Sequence, residues 1–548
     1  MPISRNPRII VAIACVASLA ALTSHAAELR GITAIAAGAN HACAVTASGA
    51  VKCWGGNFSG QLGYGPTSFQ SSAVGTLGLG TRVTAVTAGF NHTCALTVAG
   101  GVQCWGGNEG GQLGDGTTTL RVKPVDVLGL ASGVVAIAAG NYYTCALTAA
   151  GGVKCWGSPY GYGGGTSNPP ATLADVPGLE RGVVAIAAGD DYTCALTATG
   201  AVQCWGMNHH GQLGDGTKLW RPTPAAVTGL SGGVVAIAAG TEHTCALTAA
   251  GGMQCWGSNE YGELGIGTPN LSQPLPVEVN GLGGPVKSIV VGGGQTCAVM
   301  VSGSVQCWGS NNSGESGVNA AANQPLPVDV PGLSGSAVAL AAGRFDTCAL
   351  LADGRVNCWG ANYAGQAGNG VTSARQDTPA AVVEADRRVV EFYNTVLDNY
   401  FVTADPIEIG AVDSGSAGPG WLRTGGSFKA GGDTDVCRFY GSRSPGPNSH
   451  FYALDGVECQ GLIDAQFAAD DPRRLTQKSW NLENFDFSAT RPAGGACPDG
   501  MVAIRRAYNN GYARGIDSNH RLTADPAAIA EVVARGWIAE GVVMCAPG

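Results

Sequence analysis

Nineteen cysteines offer more chemistry than any other residue type in this 548-residue sequence, and their spacing limits what that chemistry is. Fourteen fall into seven pairs of the form C-x9-C: Cys43/Cys53, Cys94/Cys104, Cys145/Cys155, Cys194/Cys204, Cys245/Cys255, Cys297/Cys307 and Cys348/Cys358. Zinc sites gather thiolates through knuckles of two to four intervening residues. A nine-residue gap with a turn in its middle does not, so the pairs point to disulfides. In the third copy, Cys145 and Cys155 are symmetric about a turn at residues 149–151, and so are Leu147 and Val153. On an antiparallel hairpin these residues oppose each other on one face, and Trp156 lies on the other. Opposed residues of a non-hydrogen-bonded pair are close enough for an S–S bond. Each bond closes a loop of about 11 residues, worth on the order of 2–3 kcal/mol in the chain-entropy account, less what the hairpin already restricts.

A second recurring position lies two residues before each first cysteine. It holds His41, His92, Tyr143, Tyr192, His243, Gln295 and Asp346. These residues vary while the sequence around them does not, which reads as a polar and aromatic binding rim. Three histidines spread over separate copies do not converge on one ion, so no metal is expected. The Gly-Gln-Leu-Gly-Asp-Gly loops at 111–116 and 211–216 lack the Lys and helix of a phosphate loop and the several oxygens of a calcium loop. Asp115 and Asp215 are expected to form Asx turns. There is no H-E-x-x-H, and no G-x-S-x-G between a strand and a helix; neither catalytic residues nor a cofactor are expected.

The elements that carry these residues repeat. Successive first cysteines are 49 to 52 residues apart, a Trp-Gly follows each second cysteine, and a glycine precedes each first cysteine by five. A period near 50 in seven copies signals a propeller or solenoid. Within a copy, runs such as 134–140, 145–148, 153–156 and 125–127 are short, apolar or alternating, and punctuated by glycine. Four such strands make one propeller blade. The Ala-Ile-Ala-Ala-Gly run suits the strand nearest the axis, where only small side chains fit. The expected fold is all-β, a seven-bladed β-propeller over 31–386. The fourth-strand run at 378–386 is expected to close the ring by joining the blade begun at 32–38.

The repeat Gly-x-x-His-x-Cys-Ala-Leu-Thr, Gly-x-Val-x-Cys-Trp-Gly, Asn-x-x-Gly-Gln-Leu-Gly-Asp-Gly-Thr resembles the regulator of chromosome condensation repeat. Residues 91–97 with 101–117, and 243–268, carry it well. The resemblance covers roughly residues 31–386 and implies a seven-bladed propeller. Nucleotide exchange on a nuclear GTPase, the activity of the eukaryotic namesake, is not expected here, because this chain reads as exported and shows no wedge inserted between blades. A secreted bacterial β-lactamase inhibitor that looks similar in fold is a closer analogy.

After residue 381 the repeat stops, and 384–388 form a charged joint. Residues 389–548 echo themselves three times, in Phe392-Tyr393-Asn394, Arg438-Phe439-Tyr440 and Ala507-Tyr508-Asn509, each followed later by a tryptophan, Trp421, Trp480 and Trp537. This resembles a tyrosine-rich "His-Phe-Tyr" repeat module at the ends of secreted bacterial proteins. A smaller, β-rich pseudo-threefold domain is expected, with its aromatics either stacking on sugars or filling the core. Cys437, Cys459, Cys497 and Cys545 allow three pairings; Cys437 with Cys459 and Cys497 with Cys545 is the expectation, although chain order does not choose among them.

Residues 1–26 read as a signal peptide: Arg5 and Arg8, an apolar run at 9–22, then small residues up to Ala26. The run is short for a membrane span. Removing it takes the formal charge from −9 to −11 and leaves 18 cysteines, an even number. An acidic chain is a poor match for nucleic acid or anionic membranes, and export permits disulfides. The whole reads as a monomeric secreted or cell-envelope binding protein that contacts a protein or glycan. A secreted carbohydrate-active enzyme and an extracellular enzyme inhibitor are the alternatives.

Overall fold

The computed structural model describes residues 27–65, 68–79, 81–158, 173–230, 233–269, 271–320, 322–385, 388–394, 399–403, 412, 421–429, 434–441, 450–454, 480–509 and 520–547. Residues 1–26 therefore lie outside the described residues. Seven four-stranded antiparallel sheets follow one another along the chain. Blade 1 is Ile32–Ala37, His41–Thr46, Val51–Gly56 and Phe69–Gly75. Blade 4 is Val183–Ala188, Tyr192–Thr197, Val202–Gly206 and Arg221–Ala226. In each blade the first strand lines the axis and the fourth forms the rim of the disc. The second and third strands pair Cys145 with Cys155 and Leu147 with Val153 in blade 3, and the same register recurs in every blade.

Packing between blades follows from that register. Alternation puts the disulfide on one face of a blade and the tryptophan on the other. The Cys145–Cys155 bond of blade 3 packs with Trp205 of blade 4, and Cys348–Cys358 of blade 7 packs with Trp54 of blade 1. All seven tryptophans of the Trp-Gly motif are fully buried. Six of these indoles, those of Trp54, Trp105, Trp156, Trp256, Trp308 and Trp359, also donate backwards to the loop of the preceding blade, for example Trp105 Nε1 to Gln61 O at 2.8 Å, Trp256 Nε1 to Gln212 O at 2.9 Å and Trp54 Nε1 to Gln366 O at 2.9 Å.

At the axis, the glycine five before each first cysteine brings neighbouring blades into contact. A Cβ on Gly189 would lie 2.5 Å from Gly240 O, and the chain of such approaches closes at Gly343 against Gly38 O. Only glycine fits there, for steric reasons.

Ring closure corrects the sequence reading. Arg375–Ala381 remains in blade 7, paired with Val356–Ala361, and blade 1 supplies its own fourth strand. No strand position in blade 1 is left to fill. The last part of the expected run, residues 382–385, does reach blade 1, through Leu29 N to Val382 O at 2.8 Å and Ala73 N to Val383 O at 2.8 Å. Lys52 pairs with Glu384 at 2.7 Å in a largely buried position.

The fourth strands of blades 2 and 4 to 7 carry prolines at the sheet edge: Pro124, Pro222, Pro224, Pro274, Pro276, Pro325, Pro327 and Pro379. Proline withdraws the donor that a foreign strand would use.

After the propeller come three three-stranded sheets, with central strands Arg388–Asn394, Thr434–Gly441 and Met501–Tyr508. They share one core that includes Val389, Val402, Val436, Tyr452, Ile504, Leu522 and Met544. Polar ties run between the sheets: Tyr452 donates to Val402 O, Arg506 donates to Tyr452 O at 2.8 Å, and Arg521 pairs with Glu391 at 3.0 Å in a buried position. The helix Pro526–Ala534 is capped by Asp525, which accepts from Ala527 N at 2.8 Å. Cys497 is bonded to Cys545. The expected partnership of Cys437 with Cys459 lies outside the described residues.

Candidate binding face

Each C-x9-C pair is bonded within its own hairpin: Cys43 to Cys53, Cys94 to Cys104, Cys145 to Cys155, Cys194 to Cys204, Cys245 to Cys255, Cys297 to Cys307 and Cys348 to Cys358. All fourteen cysteines are buried. The next blade covers them, so these bonds staple the scaffold and contribute nothing to a surface that a partner could touch.

The expected rim is corrected by burial. His41, His92, Tyr143, Tyr192 and His243 are all 0% exposed. Being two residues from a cysteine puts them on the disulfide face, which the next blade covers. Their polar atoms cross that boundary. His41 Nε2 meets Thr93 Oγ1 at 2.8 Å, His92 meets Thr144 at 2.9 Å, and His243 meets Thr296 at 2.8 Å. The threonine hydroxyls already donate to Gln61 O, Gln112 O and Glu263 O. Each therefore accepts from the imidazole, which fixes the Nε2–H tautomer. Burial lowers the pKa of these rings from 6.5 to about 4 for His41 and about 3 for His92 and His243. Tyr143 donates to Gly189 O or Tyr192 O and accepts from Thr193 at 3.0 Å, while Tyr192 donates to His243 O at 2.6 Å. These residues bind the blades to one another.

Asp115 Oδ1 accepts from Thr117 N at 3.0 Å and its Oδ2 from Arg121 at 2.7 Å; Asp215 repeats the arrangement with Thr217 and Arg221. Both are Asx turns that tie a loop. Among the described residues, no three His, Cys, Asp or Glu side chains cluster as metal ligands would.

The variability lies one step away, in the two-residue loops after the axial glycines, where Phe345 is exposed and most of the other residues are half-buried. They read Ala39-Asn40, Phe90-Asn91, Asn141-Tyr142, Asp190-Asp191, Thr241-Glu242, Gly293-Gly294 and Arg344-Phe345. The Trp-Gly glycine of each blade lets the third strand pass beneath this loop: Gly206 takes φ 107°, and a Cβ there would lie 2.6 Å from Asp191 O. Among the described residues, the loop after the third strand lies on the same face, against the next blade. Tyr363 donates to Asn40, and His210 lies 3.4 Å from Glu242. The axial glycines, Phe90, Asp190, Thr241 and Arg344 line one cavity at the mouth of the axis.

The mouth is two-sided. On blades 7, 1, 2 and 3 lie Arg344, Phe345, Tyr363, Phe58, Phe90 and Tyr142, with Phe58 69%, Tyr363 53% and Phe345 38% exposed. The Arg344 guanidinium sits 5.6 Å from the ring centroids of both Phe90 and Phe345, and Phe90 lies 6.1 Å from Tyr142. On blades 4 and 5 lie Asp190, Asp191 and Glu242. Burial raises the pKa of both aspartates; for Asp190 the Arg344 charge pulls partly the other way, and Thr241 bonds its carboxylate. The sequence reading missed this rim. Its signal was a dipeptide that differs in every copy between an unvarying glycine and a strand.

In the C-terminal region, Tyr400 and Trp537 pack edge-on at 5.8 Å in a buried cluster, and Arg521 lies 4.2 Å over the Tyr400 ring. These aromatics fill the core and are closed to sugar stacking.

The RCC1-like domain profile matches residues 16–284, and the regulator of chromosome condensation (RCC1) repeat profile matches 337–366. The ultraviolet-B receptor UVR8 of Arabidopsis thaliana is 30% identical over 373 residues, 66% of this chain and 72% of that protein. The chain belongs to the RCC1-like family. A region of the human E3 ubiquitin-protein ligase HERC2 is 34% identical over 345 residues, which is 61% of this RCC1-like chain but 6% of the ligase. Among solved structures, human WBSCR16 superposes with a TM-score of 0.52 at 25% identity, covering 58% of this chain and 87% of that one. Prp20p of Saccharomyces cerevisiae gives 0.56 at 22% identity, covering 65% and 88%. As a member of this family the chain is an RCC1-like propeller, and its disulfide-paired blades support a protein-interaction scaffold.

Proposed function

We propose that this RCC1-like protein is exported and binds a protein partner on the loop face around its axial mouth. The observation that carries the reading is the arc of Arg344, Phe345, Tyr363 and Phe90, residue types enriched in binding hot spots; all but Tyr363 sit on two-residue loops. Such loops are rigid and lose little entropy on binding. Export is supported by eight disulfides among the described residues, which persist only in an oxidising compartment. A protein suits the arc better than a glycan, because the Arg344 guanidinium already lies beside the rings of Phe90 and Phe345, where a sugar would have to stack.

The test is capture from cell-envelope and culture-supernatant fractions on the immobilised full chain. Phe345→Ala with Tyr363→Ala should lose the captured protein, and Val135→Ser with Val184→Ser, exposed changes at the far end of the inner strands, should retain it. Equal capture by both variants overturns the loop-face reading. Recovery of the protein from the cytosol with free thiols at Cys145 and Cys155 overturns export.

A further inference from the structure

Resting on that reading, we infer that the partner offers this face a basic segment: a Lys or Arg side chain set beside apolar residues. The aromatic arc needs apolar cover, and it occupies one side of the mouth only. Across the axis, Asp190, Asp191 and Glu242 stand on adjacent blades, and Glu260 is exposed in the outer loop of blade 5. The one guanidinium at the mouth, Arg344, lies beside the rings of Phe90 and Phe345 and acts on Asp190 through its charge, a single cation against these four carboxylates. The excess charge that a ligand meets is therefore negative. The half-buried position of Asp190 and Asp191 strengthens the attraction, because less water screens it. A formal charge of −9 on the whole chain adds a long-range field of the same sign. An anionic segment would meet repulsion on half of the mouth and only one cation on the other. A wholly apolar segment would bury Asp190 and Asp191 without a counter-charge, at high cost. A segment that pairs a cation with apolar neighbours satisfies both halves at once.

Two labelled short peptides test this on the full oxidised chain by fluorescence anisotropy: one of lysine and leucine, and its counterpart with glutamate for lysine. The lysine peptide should bind and the glutamate peptide should not. Raising salt from about 20 to about 200 mM should weaken the lysine peptide several-fold. Asp190→Asn with Asp191→Asn should weaken it about tenfold, and Phe345→Ala about fivefold or more, the usual scale for anchor residues. Thr241 bonds Asp190, so Glu242→Gln with Asp191→Asn is the second variant should the first melt early. Tighter binding of the glutamate peptide, or lysine-peptide binding unmoved by both acid variants, overturns the inference. Partner capture that falls with Phe345→Ala but holds with the acid variants overturns the basic partner and leaves the loop face standing.

Discussion

The imidazole of His41 meets the hydroxyl of Thr93 at 2.8 Å across the boundary between blades 1 and 2, and Thr93 passes its own proton on to Gln61 O at 2.8 Å. The same carbonyl accepts Trp105 Nε1, so one acceptor at the end of blade 1 holds two donors of blade 2. Histidine relays of this kind recur at His92 and His243.

These relays make stability fall in acid. In the folded protein the rings stay neutral down to about pH 4 for His41 and about 3 for His92 and His243, whereas in the unfolded chain they protonate near 6.5. A lowered folded pKa means that stability is full above about 6.5 and drains as pH falls toward those values, by up to ~1.4 kcal/mol per pH unit for each ring. Thermal melts from about pH 8 to about pH 4 should show the decline, and His92→Gln, which installs the residue blade 6 uses at Gln295, should flatten it. An unchanged slope in the variant would refute the assignment.

Tyr143→Phe should cost about 1–3 kcal/mol in denaturant unfolding, because the bonds from Thr193 to the phenol and from the phenol to a buried carbonyl are removed while the cavity stays filled. Affinity for any captured partner should hold in the folded fraction. Loss of binding at unaltered stability would return Tyr143 to the rim.

The boundary between blades 7 and 1 breaks the pattern. Ala42 stands where the other six blades have threonine, and Gln366 O receives Trp54 alone. Asp346, at the place of His41, is fully buried, and neither carboxylate oxygen has a hydrogen-bond partner among the described residues. Burial, and then the nearby Glu315 charge, push its pKa well above 3.8. Stability from this site is fully present below 3.8 and is lost as pH rises toward the raised value. Asp346→Asn should therefore stabilise the protein by ~1–3 kcal/mol at neutral pH, and Ala42→Thr should add a donor. A lower melting temperature for Asp346→Asn at pH 7 would mean that the carboxylate is satisfied.

Gly189→Ala should prevent a stable fold or cost at least ~3 kcal/mol, since the new methyl meets both Gly240 O at 2.5 Å and the Tyr192 ring. Gly178→Ala, in open space at φ 83°, should cost only its backbone strain of ~1–2 kcal/mol. Secreted yield and melting temperature separate the two; equal losses would dismiss the axial contact.

The blade count and hairpin register were legible because a cysteine pair across a turn states which residues oppose each other, and Cys145 does stand opposite Cys155 with Leu147 opposite Val153. The fate of Tyr143 was not. Alternation separates two faces of a strand without saying which is wet, and in a propeller both are dry. Closure was misread for a related reason: Arg375–Ala381 has the same local pattern whether it pairs back to Val356–Ala361 or forward to blade 1, and only the presence of Phe69–Gly75 in the ring decides. The mouth residues Asp190 and Arg344 lay one loop away from the position singled out. Their meeting across the axis joins blades about 150 residues apart, beyond what a repeat pattern encodes.

Every blade takes its four strands from one unbroken stretch of chain, and the same tryptophan contact joins blade 7 to blade 1 as joins any other pair. Order along the sequence and order around the disc are thus one cyclic list whose starting point is arbitrary. A circular permutant that opens between blades 3 and 4 and runs from blade 7 straight into blade 1 keeps all seven four-stranded sheets and the packing of disulfide on tryptophan between them. A blade is accordingly a unit that a gene can copy, shuffle or lend whole, with the two loop residues at the mouth as the part free to change.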